Sequence, residues 1–501
     1  MSMRYGILLL LLFGANTAVL AQSSFEAGLA EEDVTPAIGM EMPGGYGKAF
    51  HKQIHDPCKV RVSVFHDGKK KIALVSVDAL MIPRRLTVEA RKEILDKCGI
   101  RPEAVLIGAS HSHSSGPVGM VQPGQYDFAS PFVQKLAYQE SSCADSLYLN
   151  QVKSAIVKAV CQADKRLAPV FCGAGKGSED QVAYNRRFHM KNGWVYTHPG
   201  KGNPDILSVA GPTDPEVGVI GVWDQQDVFL GCIVNYACHA TTSPPGASAN
   251  WIYYMEKAIR GCLGENAIVV FLQGFSGDVT QVDNLSPYAN PSGDEWAQIV
   301  GGRVGAEAVK VLLSMEKGTL QPLESQSVSV PCRHRVPDPD RVKRCYELVR
   351  EAPTNETRTD WTFAKEIVLL DALLSQKSET EVEVQAIQIG PVVLLTTPGE
   401  MFCQYGLDLK EKSPFPLTFP VELANGCVGY VPTLEALGDH GGGYETRLTS
   451  YSHLEANAGN VMMERLLKMA SDMSPGTAPS PEPAPAFRNP WSYGSAPPEL
   501  K

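Results

Sequence analysis

The chain has 501 residues, of which 44% are hydrophobic and 20% are charged, so it can bury a large core. Its formal net charge of −10 argues against nucleic acid as a partner, because nucleic-acid binding requires a basic surface. The 12 cysteines include no C-x-x-C pair, and their number suits an oxidising compartment without indicating which of them pair.

The first residues have the pattern of a secretory signal peptide. A positively charged start over residues 1–4 precedes an apolar run over 7–13, and small residues before Gln22 form a cleavage site. We therefore predict a signal peptide over residues 1–21 and a secreted or periplasmic mature protein. No later stretch approaches twenty uninterrupted apolar residues, so no membrane span is predicted.

Strands and helices are predicted to alternate through the first half of the chain. Alternating residues over 59–64, a turn, and an apolar run over 72–78 indicate a β-hairpin. A helical pattern follows from Pro83 to Gly99. Further predictions are strands over 104–109, 169–173 and 267–272, a hairpin over 217–223 and 228–238, and helices over 147–163 and 251–263.

Helices predominate in the second half. They are predicted over 295–315, 338–350, 362–375 and 453–470, with a hairpin over 382–389 and 392–395. Residues 474–501 are rich in Pro, Ala and Ser, which predicts a flexible tail. The predicted class is α/β, with one domain over residues 25–473, a layered mixed β-sheet core, flanking helices and the active site at the carboxyl ends of strands.

The most informative motif is H-x-H at His111 and His113, directly after the predicted strand over 104–109. In an extended segment, residues two apart share one face, so both imidazoles would lie together at the end of the strand. One imidazole could bind a cation while the other moves protons.

Other strand ends carry further ligand-type residues. His239 follows the predicted strand over 228–238, and Glu400 follows the one over 392–395. Two histidines and a carboxylate can form a catalytic zinc shell that leaves a position for water. Histidines that merely stabilise a metal-free fold are the alternative.

Seven segments, in this order, resemble the neutral/alkaline (non-lysosomal) ceramidase family. They are residues 27–36 (AGLAEEDVTP), 108–117 (GASHSHSSGP), 185–186 (NR), 235–242 (NYACHATT), 398–400 (PGE), 429–433 (GYVPT) and 442–445 (GGYE). The resemblance implies the catalytic domain of that family and hydrolysis of an amide bond. The substrate would be an N-acyl lipid or another small N-acyl compound, with transient contact with a membrane surface.

The resemblance also implies one Zn²⁺ ion per chain. Its ligands would be His111, His239, Glu400 and Tyr444, with Tyr451 as a competing tyrosine only seven residues further on. A phenol beside a dication loses its proton more easily than usual, which suits a tyrosine for this role.

Two residues outside the metal shell would assist the reaction. By the same resemblance, His113 would pass a proton to the leaving amine, because a ligand histidine has no lone pair left for that task. Arg186 would hold the oxyanion or a substrate hydroxyl, and a surface ion pair is the alternative for it.

The chain departs from the family pattern at some positions. Where the family has G-[DN]-x-S-P-N, residues 277–282 read GDVTQV, so Thr280 is the candidate catalytic hydroxyl in place of a serine. Residues 248–251 read SANW where the family tends to show S-A-D-Y. No C-terminal immunoglobulin-like domain is expected, because the Pro-rich tail follows the catalytic region. These departures bear on the substrate more than on the metal.

Two other functions remain open. A zinc esterase or amidase acting on non-lipid compounds would use the same chemistry, since either carbonyl can be attacked. A catalytically inactive binding protein is the second, and the replacement of serine by Thr280 would be its first sign. Loss of a predicted ligand would have favoured this second alternative, but all of them are present.

Overall fold

The structure, a computed structural model, describes residues 25–289, 291–494 and 496–501. The predicted signal peptide over residues 1–21 lies outside these ranges. Within them, no helix combines the length and the apolar character needed to cross a membrane.

Most strands are short and buried. In chain order, those of the described residues are β1 (Glu26–Asp33), β2 (Lys59–His66), β3 (Lys71–Val77), β4 (Val105–Ala109), β5 (Ala168–Ser178), β6 (Tyr184–Asn185), β7 (Arg187–Met190), β8 (Val195–Thr197), β9 (Ile206–Val209), β10 (Glu216–Asp224), β11 (Phe229–Tyr236), β12 (Ile268–Gln273), β13 (Val279–Thr280), β14 (Leu323–Arg333), β15 (Glu379–Ile389), β16 (Val392–Thr396), β17 (Glu400–Met401), β18 (Leu417–Val421) and β19 (Tyr430–Val431).

The helices cover the sheets. In chain order they are α1 (Arg84–Cys98), α2 (Pro131–Tyr138), α3 (Ser146–Lys165), α4 (Trp251–Leu263), α5 (Gly293–Leu313), α6 (Pro339–Leu348), α7 (Arg358–Leu374), α8 (Cys403–Lys412) and α9 (Ala458–Ser471). Helix α1 ends at Gly99, whose φ of 67° is the left-handed conformation that commonly terminates helices.

The largest sheet among the described residues has eight strands in the order β12-β11-β10-β5-β1-β2-β3-β4. It is mixed: β3 and β4 are parallel, as are β11 and β12, and helices α1 and α4 make these two crossovers. The sheet bends until β12 contacts β2, β3 and β4. This bend brings the residues after β4 and β11 side by side, so that Ser112 pairs with Ala240.

A second sheet positions the carboxylate. Its strands lie in the order β14-β15-β16-β18, and helix α9 packs against it. Glu400 comes four residues after the end of β16, and it begins the short strand β17. The chain therefore delivers His111, His239 and Glu400 from the carboxyl ends of β4, β11 and β16, as the sequence predicted.

Most predicted elements are confirmed, strand β14 was not predicted, and the largest error in a helix boundary is at the last helix. The last helix begins at Ala458 rather than at 453, because the preceding residues pair with the chain at the end of β14. Arg335 N–H donates to the His453 carbonyl (2.7 Å), and Glu455 N–H donates to the Arg333 carbonyl (2.8 Å). These two bonds hold the segment outside the helix.

The residues after Met473 form no helix or strand in the part of the chain that is described. The beginning of this segment is nevertheless attached to the turn between β15 and β16. The Gln388 side chain donates to the Ser474 carbonyl (2.7 Å), and Gly476 N–H donates to the Gly390 carbonyl (2.9 Å).

Arg61 provides a test of the fold. It is fully buried in β2 and forms ion pairs with Asp78 (2.7 Å) and with Glu256 of α4. We expect Arg61→Met to lower the free energy of unfolding by about 3–5 kcal/mol, because the buried Asp78 carboxylate loses its cation and Glu256 keeps only Lys59 and Arg260 among the described residues. Urea denaturation measures this loss.

Arg85→Met is the matched control. The Arg85 side chain is 87% exposed and pairs with Glu89 on the surface of α1, so its loss should cost less than about 1 kcal/mol. Equal destabilisation by both variants would contradict the role given to Arg61.

Candidate metal centre

His111, His113 and His239 meet in the interior, and ligand nitrogens of all three lie within 4.8 Å of one another. His111 has a φ of 60°, a left-handed conformation that costs energy for residues with a side chain. His239 is held by its backbone N–H, which donates to the Val279 carbonyl (3.2 Å). The H-x-H motif and the third histidine are therefore brought together as predicted.

Backbone carbonyls fix the orientation of two of these rings. His111 Nδ1 donates to the Leu80 carbonyl (2.9 Å), and His239 Nδ1 donates to the Ser276 carbonyl (2.9 Å). Burial, followed by the nearby Arg186 cation, lowers the pKa of His239 to about 3, so this ring is neutral. Nε2 of His239 therefore offers a lone pair. The His111 ring, which also donates through Nδ1, turns its Nε2 toward the same point.

Glu400 faces these two lone pairs. Its Oε2 lies 3.2 Å from His111 Nε2 and 3.3 Å from His239 Nε2. This buried oxygen has no hydrogen-bond partner among the described residues, whereas Oε1 accepts from the Tyr451 hydroxyl (2.7 Å). Three acceptor atoms facing one another are unfavourable unless a cation or a proton lies between them.

The spacing of the three atoms fits a metal ion. Ligands at about 2.0–2.1 Å from a tetrahedral zinc ion lie about 3.3–3.4 Å from one another. Glu400 Oε2 has this spacing to both His111 Nε2 and His239 Nε2, and the nitrogen and oxygen atoms suit zinc. The residues present can therefore hold a divalent metal ion.

His113 reaches the same space from one side. Its Nε2 lies 3.4 Å from His111 Nε2, but its ring centroid is 6.1 Å from that of His239. Gly44, with a φ of 107°, lies against this ring, because a Cβ there would come within 2.4 Å of His113 Nδ1. Unlike the rings of the other two histidines, the ring of His113 donates to no carbonyl among the described residues.

Tyr444 lies at the edge of the cluster, in a short 3₁₀ turn over Tyr444–Thr446. Its ring packs against Tyr430 (centroids 5.4 Å apart) and against the Arg186 guanidinium (5.9 Å). Burial raises the pKa of Tyr444 to about 12. In the described part of the chain its hydroxyl makes no hydrogen bond to Glu400, which bonds to the competing Tyr451 instead.

Arg186 is buried and fully oriented, so it does not form a surface ion pair. Its Nε donates to Glu445 (2.5 Å), and one Nη donates to the Gly277 carbonyl (2.7 Å). The other Nη lies 3.4 Å from His239 Nε2 and is the one directed at the cluster.

Thr280 lies next to the site rather than in it. It follows Val279, whose carbonyl holds the His239 backbone, and it pairs with Tyr184 across β13 and β6. Its hydroxyl accepts from the Val282 N–H (3.3 Å) and forms no hydrogen bond with the cluster among the described residues.

The sequence did not reveal two buried carboxylates that support the site. Glu445 orients Arg186, and Glu422 accepts from the Ser276 hydroxyl (2.7 Å) and from Met401 N–H (2.8 Å). Glu445 stands in the GGYE segment, and Glu422 is a single acid in an apolar run. Both acids can be noticed in the sequence, but their roles cannot be inferred because their partners lie far away along the chain.

A cavity of about 490 Å³ is linked to the cluster through Tyr451, although neither Glu400 nor any of the three histidines lines it. Tyr451, whose hydroxyl donates to Glu400, forms part of the wall of this cavity. Met81 also lines it and directly follows Leu80, whose carbonyl orients the His111 ring. The apolar part of the lining consists mainly of Met81, Met120, Phe128, Leu373, Val428 and Leu454.

The fold and the cluster define an α/β protein with a candidate metal centre and a nearby cavity whose lining is partly apolar and partly polar. No family model matches the chain. The neutral ceramidase of Pseudomonas aeruginosa is 23% identical over 319 residues, which is 60% of this chain and 44% of that protein. The aligned region thus spans less than half the length of this relative.

Solved ceramidase structures share the fold. The neutral ceramidase of P. aeruginosa superposes with a TM-score of 0.67 at 19% identity, over 92% of this chain and 77% of that chain. A ceramidase complexed with C2 gives a TM-score of 0.66 at 18% identity, over 92% and 78%. These comparisons confirm the resemblance to the neutral ceramidase family and the predicted α/β class.

Asp56 supports the H-x-H segment and gives a pH-dependent prediction. It accepts from the Ser248 hydroxyl and from Ala249 N–H (2.7 Å), and the Ser248 carbonyl accepts from Ser112 (2.8 Å). Burial raises the pKa of Asp56 to about 6, so the folded state binds this proton more tightly than the unfolded state does. Its contribution to stability is therefore present below about pH 4 and is lost as the pH rises through 6.

Asp56→Asn keeps the shape of the side chain and removes its titratable carboxyl group. Urea denaturation at each pH gives the difference in free energy of unfolding between the wild type and this variant. We expect that difference to change by about 2–3 kcal/mol, against the wild type, from pH 4 to pH 7. Parallel pH curves for the two proteins would contradict the burial of a titrating carboxyl group at this position.

Proposed function

We propose that this protein is a secreted or periplasmic zinc-dependent amidohydrolase that cleaves the N-acyl bond of a ceramide-like lipid. The observation that carries the proposal is that Glu400 Oε2 lies 3.2 Å from His111 Nε2 and 3.3 Å from His239 Nε2. These residues would hold one zinc ion. Tyr444 is proposed as the fourth ligand on its motif and its place at the edge of the cluster.

Zinc bound there would polarise the substrate carbonyl and lower the pKa of a water molecule. A role for His113 in moving the proton is supported by its Nε2, which lies 3.4 Å from His111 Nε2, and by its ring, which donates to no carbonyl among the described residues. It would take a proton from the attacking water and give it to the leaving amine. His111 and His239 are unsuited to this because their Nδ1–H groups are engaged.

Arg186 would stabilise the negative charge that develops on the carbonyl oxygen. Its Nε and one Nη are held by Glu445 and by the Gly277 carbonyl, so the other Nη is preoriented toward the cluster. A fixed cation in a buried site stabilises an oxyanion strongly, since no solvent reorganises around it. For Thr280, a contact with the substrate is proposed from its sequence position alone.

An acyl lipid is supported as the substrate by the apolar cavity beside Tyr451. Methionine, phenylalanine and leucine side chains can bury a hydrocarbon chain, and 490 Å³ lies in the usual range of ligand sites. The ceramidases that share this fold support the same substrate class. Such a substrate implies transient contact with a membrane surface.

The test combines metal content with turnover. We expect the purified mature protein to bind about one zinc ion per chain and to hydrolyse a fluorogenic N-acylsphingosine. His111→Ala should weaken zinc binding by more than about 100-fold and reduce hydrolysis to background, because one ligand is lost. Plasma mass spectrometry and fluorescence measure the two effects.

His66→Ala is the matched control, because His66 lies at the end of β2 and pairs with Glu26 on the surface of the sheet. It should keep both zinc and turnover. Zinc binding without turnover on amides or esters would favour the binding-protein alternative. Failure to take up zinc would contradict the proposed metal centre.

His113 is tested separately from the metal ligands. His113→Gln should retain one zinc ion per chain while kcat falls by about 100- to 10,000-fold, since the proton carrier is lost. A variant that loses zinc in parallel with activity would instead make His113 a metal ligand.

A further inference from the structure

Two cysteines on neighbouring helices lie closer than unbonded sulfur atoms ordinarily do. Cys98 is the last residue of α1, Cys161 lies within α3, and the two helices pack against each other. Their Sγ atoms are 2.8 Å apart. This is about 0.8 Å longer than a disulfide bond, whereas no other pair of cysteine sulfurs in the described residues comes into contact.

The pair is open to an oxidant. Both side chains are half-buried, and Cys161 lines a surface cavity of about 420 Å³. Lys97, Lys158 and Lys165 line the same cavity, with Glu93 as its acidic member. Such surroundings attract a small anionic disulfide toward Cys161.

We propose that Cys98 and Cys161 form a disulfide bond in the mature protein, made by exchange with a small-molecule or protein disulfide. The Cys161 thiolate attacks one sulfur of the oxidant and releases one thiol. The Cys98 thiol then loses its proton to solvent, attacks the Cys161 sulfur and releases the second thiol. The pair loses two electrons and two protons, and one oxidant disulfide is reduced to two thiols.

The bond would close the segment that carries the H-x-H motif. Strand β4, His111, His113 and helix α2 all lie between Cys98 and Cys161 in the sequence. A cross-link over a segment of this length restricts the unfolded chain and so stabilises the folded state. It would anchor both ends of the segment on the outer helices without touching the cluster itself. The proposal is independent of the proposed function.

The first test is disulfide mapping of the full-length mature wild-type protein. The protein is incubated with oxidised glutathione, alkylated without reductant, digested and analysed by mass spectrometry. We expect a cross-linked peptide that joins Cys98 to Cys161 and is lighter than the two thiol peptides by two hydrogen atoms. Alkylation of both cysteines, or pairing of either with another cysteine, would overturn the proposal.

The second test measures stabilisation. Reduction should lower the Tm of the oxidised wild type by about 4 °C, given the loop length and the size of the domain. The double variant Cys98→Ser/Cys161→Ser should show no such shift, whereas Cys262→Ser, which removes an exposed thiol of α4, should retain it. An equal shift on reduction of the double variant would overturn the stabilising role.

Discussion

The structure depends on one electrostatic constraint at its centre. The buried Oε2 of Glu400 faces Nε2 of His111 at 3.2 Å and Nε2 of His239 at 3.3 Å. Burial of such a set is costly without a cation, because Glu400 Oε2 has no hydrogen-bond partner among the described residues to compensate for its lost solvation. A divalent metal ion removes this cost, so metal binding and the stability of the centre should be coupled.

The surrounding fold serves to hold these three atoms in place. The bend of the large sheet brings the chain after β4 beside the chain after β11, and the second sheet supplies Glu400 from β16. Carbonyls orient the imidazoles, Tyr451 orients the carboxylate, and Glu445 orients Arg186. The left-handed φ of His111 shows that the backbone accepts strain to place one ring.

The sequence predicted the parts of this site that depend on local pattern. His111 and His113 follow an apolar strand. Because side chains two residues apart in an extended segment point to the same side, their proximity could be inferred. The pairing of Arg186 with Glu445 could not, because 259 residues separate them and neither has a local signal for the other. Strand β14 was missed because its outward residues are polar and exposed, and α9 was extended too far because contacts with β14 override its helical pattern.

X-ray absorption spectroscopy at the zinc edge of the zinc-loaded, full-length mature protein shows directly whether His111, His239 and Glu400 hold the metal ion. If these residues hold the ion, its shell consists of nitrogen and oxygen donors at about 2.0–2.1 Å, includes about two imidazoles and contains no sulfur. A sulfur donor at about 2.3 Å, or an oxygen shell without imidazole, would place the metal elsewhere and contradict the proposed centre.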